Sequence, residues 1–184
     1  MNSARKLTLL IWGSSIAFVS ALNAADFETD RFGLDSVGSR AGFSAESRSE
    51  TFHQAEAFLN YDLPWALRFA EHWRIQSRFD LAAGWLGGHN RNAFIGSGGP
   101  TFELSYDKIP LTFEGGGSAT YISRYEFGPT NLGSPAQFTS HLQLNWDVTD
   151  RIQLLYRFQH MSNAGLSAHN PGLNLHMLGI GFRF

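Results

Sequence analysis

Beyond its first two dozen residues the chain alternates between apolar and polar or small positions with a period of two. At the C-terminal end Asn174, His176, Leu178, Ile180, Phe182 and Phe184 share one parity, and Leu175, Met177, Gly179, Gly181 and Arg183 share the other. Such a period marks a strand with two chemically distinct faces. Before it, following the turn Asp147-Val148-Thr149-Asp150, Ile152, Leu154, Tyr156 and Phe158 oppose Gln153, Arg157 and Gln159. In the same way Phe138, Leu142, Leu144 and Trp146 oppose His141, Gln143, Asn145 and Asp147. Trp73, Ile75, Phe79, Leu81 and Trp85 oppose Arg74, Gln76, Arg78 and Asp80. Phe102, Leu104 and Tyr106 oppose Glu103 and Asp107, and a strand over 111–123 carries Phe113 and Tyr121 around Gly115 to Gly117. Weaker alternation near 31–43 and 52–62 brings the expected number of strands to eight.

The apolar parity is crowded with Trp, Tyr and Phe near strand ends, and the opposite parity holds Arg, Glu, Gln and Gly. A soluble barrel buries its apolar face, whereas an outer-membrane barrel turns it to lipid and keeps a polar interior. The connections support the second arrangement. They are short at 62–64, 107–110 and 147–150, and long at 44–51, 87–93, 124–136 and 163–173, as periplasmic turns and outer loops are. The terminal Phe184 resembles the C-terminal aromatic of outer-membrane barrels. Eight strands enclose a lumen that side chains fill, so Arg74, Arg78, Arg157, Glu103 and Glu114 are expected to form a salt-bridged plug and no channel. The expected fold is an all-β, eight-stranded antiparallel transmembrane β-barrel. A lipocalin-like periplasmic barrel is the competing architecture.

Residues 1–24 read as a targeting segment. Arg5 and Lys6 precede an apolar run from Leu7 to Val19, and small residues follow at Ser20, Ala21 and Ala24. This is the pattern of a secretory signal peptide, cleaved after Ala24, with Ala21 and Ala25 as alternatives. The apolar run is shorter than a spanning helix needs. Residues 25–184 form one barrel domain in the outer membrane. The 184-residue chain has 14 basic and 16 acidic residues. Because the leader holds two of the bases and no acid, the remainder has a net charge of −4. That balance argues against nucleic-acid binding. The absence of cysteine rules out disulfide scaffolds, zinc-thiolate sites and cysteine nucleophiles.

Candidate chemistry lies at the outer end of the seventh strand, in His160-Met161-Ser162-Asn163-Ala164-Gly165. His160 and Ser162 share a face, the lipid-facing one. A polar pair there is costly at mid-bilayer and cheap at the interface. As chemistry, His160 takes the Ser162 hydroxyl proton and makes the oxygen a nucleophile toward an ester. The Asn163-Ala164-Gly165 turn offers backbone N–H groups, or the Asn163 amide, to the developing oxyanion. As structure alone, the pair is an interfacial His and Ser solvated by headgroups.

His160-x-Ser162-Asn163-Ala164-Gly165, followed by Asn170-Pro171-Gly172 at the opening of the last strand, resembles the lipid A 3-O-deacylase (PagL) family. The resemblance implies an outer-membrane carboxylic ester hydrolase acting on lipid A of lipopolysaccharide in the outer leaflet. It implies a Ser-His-acid triad on the barrel exterior, with no cofactor. By the same resemblance Ser162 is the nucleophile, His160 the base and Asn163 an oxyanion-hole residue. The family's acid is a glutamate at the position occupied by Asn174. An amide oxygen can still orient the imidazole but does not stabilise imidazolium by charge, and the amide analogue of a Ser triad can lose about 10⁴ in rate. Either Asn174 suffices, or a loop acid (Glu46, Glu50 or Glu126) substitutes, or the barrel binds lipid or supports the envelope without catalysis.

His160, His169 and His176 lack a compact metal-ligand spacing, so no metal is expected. Arg91 and Arg124, in outer loops, are candidate contacts for lipid A phosphates. Which acyl chain is removed, and whether the chain acts alone or as a homodimer, is left open at this level.

Overall fold

The structure, a computed structural model, describes residues 26–29, 32–45 and 51–184. The leader, Glu46 and Glu50 lie outside the described residues. The strands are β1 (Asp26–Thr29), β2 (Gly33–Ser44), β3 (His53–Phe69), β4 (Trp73–Gly88), β5 (Arg91–Tyr106), β6 (Leu111–Ile122), β7 (Glu126–Phe127), β8 (Thr130–Asn131), β9 (Ala136–Asp147), β10 (Ile152–Ser162) and β11 (Leu173–Arg183). Eight of them (β2 to β6 and β9 to β11) pair antiparallel in sequence, and β11 returns to β2 to close the sheet. Closure leaves none of these eight strands as an open edge, a requirement in hydrocarbon. β1 continues the first strand downward on the inner end of β3, from Asp26 opposite Arg68 to Thr29 opposite Trp65. β7 and β8 form a small hairpin inside one outer loop.

Two connections depart from the sequence expectation. Asp62-Leu63-Pro64 is not a turn: β3 runs through it to Phe69, with an irregularity in pairing between Asp62 and Ala66. Proline lacks a ladder donor and is tolerated at such a bulge, which is why its sequence mimics a turn. The real turn is Ala70–His72, with Ala70 and Glu71 at φ 47° and 64°. At 87–93 no long loop exists. β4 and β5 are joined by His89-Asn90, with φ 51° and 56°, the two left-handed residues a tight hairpin uses.

The faces are distributed as an outer-membrane barrel requires. Phe43, Trp85, Phe94, Tyr121 and Phe138 are exposed near the outer strand ends, and Trp65 and Trp146 near the inner ends. These make aromatic belts above and below an apolar band. The lumen is polar and ionic. Asp80 accepts hydrogen bonds from Arg40 (3.1 Å) and Arg157 (3.0 Å). Arg157 also reaches Glu114 at 3.1 Å, and Glu114 meets His141 at 3.1 Å. Nearer the inner end Arg78 pairs with Asp62 (2.8 Å), Asp35 (3.3 Å) and Glu103. Each buried guanidinium is compensated by carboxylates, the condition under which a buried charge is tolerated.

Above this layer the inward-facing residues change character. Leu86, Ile95, Ile122, Met161, Leu175 and Met177 form a buried apolar cluster, capped by Phe52, Phe127 and Leu132 from the outer loops. The outer mouth is therefore a small hydrophobic core. Its members Met161, Leu173 and Leu175 alternate with His160, Ser162 and Asn174 on β10 and β11, so the polar residues stand on a packed wall.

Candidate active site

β10 and β11 are an adjacent antiparallel pair in which His160 lies directly opposite Asn174. Both side chains project outward, His160 exposed and Asn174 half-buried. His160 Nδ1 and Asn174 Oδ1 are 2.7 Å apart. An amide oxygen can only accept, so Nδ1 carries the proton, and in the neutral ring Nε2 keeps its lone pair. This is the tautomer a general base needs. Ser162, half-buried, follows two residues later on the same face of β10. On the other flank His160 faces Ser140 of β9, a second outward hydroxyl beside the imidazole.

Gly172 fixes the ring from beneath. It has φ +63°, and a Cβ there would stand 2.9 Å from His160 Cε1. A left-handed backbone and lack of room together call for glycine at this position. The turn after Ser162 is equally constrained. Ala164 and Gly165 have φ 51° and 82°. Left-handed Ala164 costs of order 1–3 kcal/mol, the kind of strain that persists only where surroundings enforce it.

Asn163 does the enforcing. Fully buried, it gives its amide protons to the carbonyls of Leu132 (3.0 Å) and His169 (2.6 Å). Its Oδ1 accepts from the Gly165 N–H at 3.0 Å. Its own backbone N–H donates to Asn170 Oδ1 at 3.1 Å, and its carbonyl accepts from Leu166 N–H at 3.0 Å. Its carboxamide thus joins the 123–135 and 163–172 loops behind the serine. None of these bonds uses the Ala164 N–H.

The remaining candidates fall in different places. His169 contributes its backbone carbonyl to Asn163. His176 stands two residues below Asn174 on the same face, 2.7 Å from Tyr156 Oη. Among the described residues, no three His, Cys, Asp or Glu side chains converge on a metal-sized site. Glu126 Oε1 accepts from Asn131 at 3.2 Å, and the imidazole of His160 is held by Asn174. Arg91 and Arg124 come together in one outer pocket. Two features escaped the sequence. One is the packing of Gly172 on the ring, hinted at only by its place in Asn-Pro-Gly. The other is an outward groove of 560 Å³ along β5, β6, β9 and β10. It is walled by Phe102, Phe113, Tyr156 and Phe158 and floored by Gly115 and Leu142.

Residues 53–183 match the family described as lipid A 3-O-deacylase (PagL). The chain is 30% identical over 139 residues to the lipid A deacylase PagL of Bordetella bronchiseptica, covering 72% of this chain and 78% of the relative. The chain belongs to the lipid A 3-O-deacylase family. Its fold agrees with the crystal structure of the outer membrane enzyme PagL, with a TM-score of 0.69 at 20% identity over 79% of this chain and 97% of that one. As a member of this family of outer-membrane barrels, the chain is an outer-membrane protein. The inverted faces of the barrel find their reason in that location.

Proposed function

We propose that this lipid A 3-O-deacylase family member is a serine esterase that removes the acyl chain at the 3-position of lipid A. The observation that carries the reading is the His160–Asn174 hydrogen bond at 2.7 Å on the membrane-facing wall, with Ser162 on the same face. Ser162 Oγ attacks the ester carbonyl carbon while His160 Nε2 takes its proton. The oxyanion is received by the Ala164 N–H, held in place by Asn163. Collapse breaks the bond to the sugar oxygen, which leaves with the proton from His160. Water, deprotonated by the same imidazole, then releases the acyl chain from Ser162.

The membrane itself delivers such a substrate. The groove begins at Phe158 and continues to Tyr156, four and six residues down β10 from Ser162. At the rise of a strand this is about 13 to 20 Å below the serine, so the tip of an extended acyl chain meets its near edge. At Gly115 a Cβ would make only ordinary van der Waals contact, with Leu142 Cδ2 at 3.4 Å and His141 O at 3.8 Å. Neither its backbone nor barrel packing demands glycine there, and its missing side chain lets an acyl chain lie close to the backbone.

Incubating the purified barrel with lipid A and weighing the product tests the reading. Loss of one hydroxyacyl chain is expected from wild type and from Ser140→Ala, and no loss from Ser162→Ala. The competing function, a barrel that binds lipid without cleaving it, rests on the amide at 174. It gains the ground if wild type leaves lipid A intact.

A further inference from the structure

Two arginines separated by 33 positions in sequence share one pocket at the outer end of the barrel, of about 320 Å³. Arg91 opens β5 and Arg124 follows β6, and Ser123, Tyr125, Glu126 and Gly128 complete the lining. Both guanidinium groups are on exposed residues, and among the described residues neither is engaged in an ion pair. Glu126 is the opposing charge, and its Oε1 is turned to Asn131. Among the described residues, two cations against one carboxylate leave the pocket with an excess of one positive charge.

The frame around the arginines is tied to the barrel and to the serine. Ser123 is clipped to β5 in both directions, its N–H to Phe94 O (2.9 Å) and the Phe94 N–H to its Oγ (2.8 Å). Leu132 N–H donates to Tyr125 O at 2.7 Å, and Leu132 O accepts from Asn163 Nδ2 at 3.0 Å. These bonds tie the loop that carries Arg124 to the turn that follows Ser162, so the pocket and the serine are held in one frame at the outer end of the barrel. Paired guanidinium forks suit a tetrahedral dianion, whose several oxygens accept charge-assisted hydrogen bonds from both at once.

We infer that Arg91 and Arg124 form a phosphomonoester site that holds a phosphate on the sugar headgroup of the substrate while an acyl chain lies against Ser162. This rests on the deacylase reading above. Both arginines are needed, because removing either leaves Glu126 to cancel the other.

Binding by the Ser162→Ala barrel in detergent micelles separates this claim from turnover. It should hold bisphosphorylated lipid A at least tenfold more tightly than the same lipid stripped of phosphate. In Arg91→Gln and in Arg124→Gln that preference should collapse toward parity, with the heat-shifted electrophoretic band of a folded barrel retained. Millimolar inorganic phosphate should compete with the bisphosphorylated lipid in the parent barrel and not in the variants. Equal binding of the two lipids by the parent overturns the phosphate site and leaves the esterase reading intact. Binding of neither lipid overturns both. A phosphate effect without lipid preference overturns the headgroup as the source.

Discussion

His160 is held from two directions, by the Asn174 carbonyl oxygen on one strand and by the face of Gly172 in the preceding loop. Its orientation is therefore over-determined, while the charge that would steady an imidazolium is missing. Asn174→Glu adds one methylene and one negative charge at the interface, and turnover should rise, by up to about 10⁴ if charge is the main deficit. Asn174→Leu, unable to accept the Nδ1 proton, should lower whatever rate wild type has. If steady-state deacylation is the same in all three, Asn174 is not the third member and Glu46, Glu50 and Glu126 become the acids to test. Gly172→Ala should cost at least tenfold in kcat with little change in KM, since a methyl group would displace the imidazole and not the substrate. Ser162→Ala and His160→Ala should each abolish cleavage, and the double variant should be no worse than either, because the two act as a unit.

At the scale of elements, the two loops behind the serine are joined by one carboxamide. Asn163→Ala removes the donors to Leu132 and His169; the Leu132 carbonyl keeps only Gln137 Nε2 at 3.2 Å, and the lost bonds cost about 1–3 kcal/mol. The expected outcome is faster proteolysis within 123–135 and a large fall in kcat, with the eight strands still paired. If the loop is cut no faster than in wild type, Asn163 is not its tie. The strands were legible in the sequence because a period of two survives even through Gly115–Gly117. Their connections were less so. Pro64 sits at a bulge and imitates a turn, whereas His89-Asn90 turns in two residues without a glycine. The shared outward face of His160, Ser162 and Asn174 was legible because a strand keeps i and i+2 on one face. The burial of Asn163 was not, since it depends on carbonyls in a loop 31 residues away.

The whole molecule is two stacked cores inside one wall, an ionic lumen below and an apolar mouth above. The site stands on the upper one, where Met161, Leu173 and Leu175 alternate with its residues. Asp80 belongs to the lower one and is shared by Arg40 and Arg157. Asp80→Ala therefore leaves two buried guanidinium groups with fewer partners, and breaking such a buried pair costs about 3–5 kcal/mol. The barrel should unfold at lower temperature or urea concentration, read from the shift between folded and unfolded bands on electrophoresis. Glu28→Ala, which removes the partly exposed partner of Arg68 at the inner rim, should not move that transition measurably, since exposed ion pairs contribute little. Because the layers are distinct, deacylation by Asp80→Ala measured well below its unfolding temperature should stay near wild type, with loss setting in only as the barrel melts. A fall in kcat at low temperature, with the barrel still folded, would mean that the ionic lumen also holds the geometry of His160 and Ser162, and that the mouth does not support the site alone.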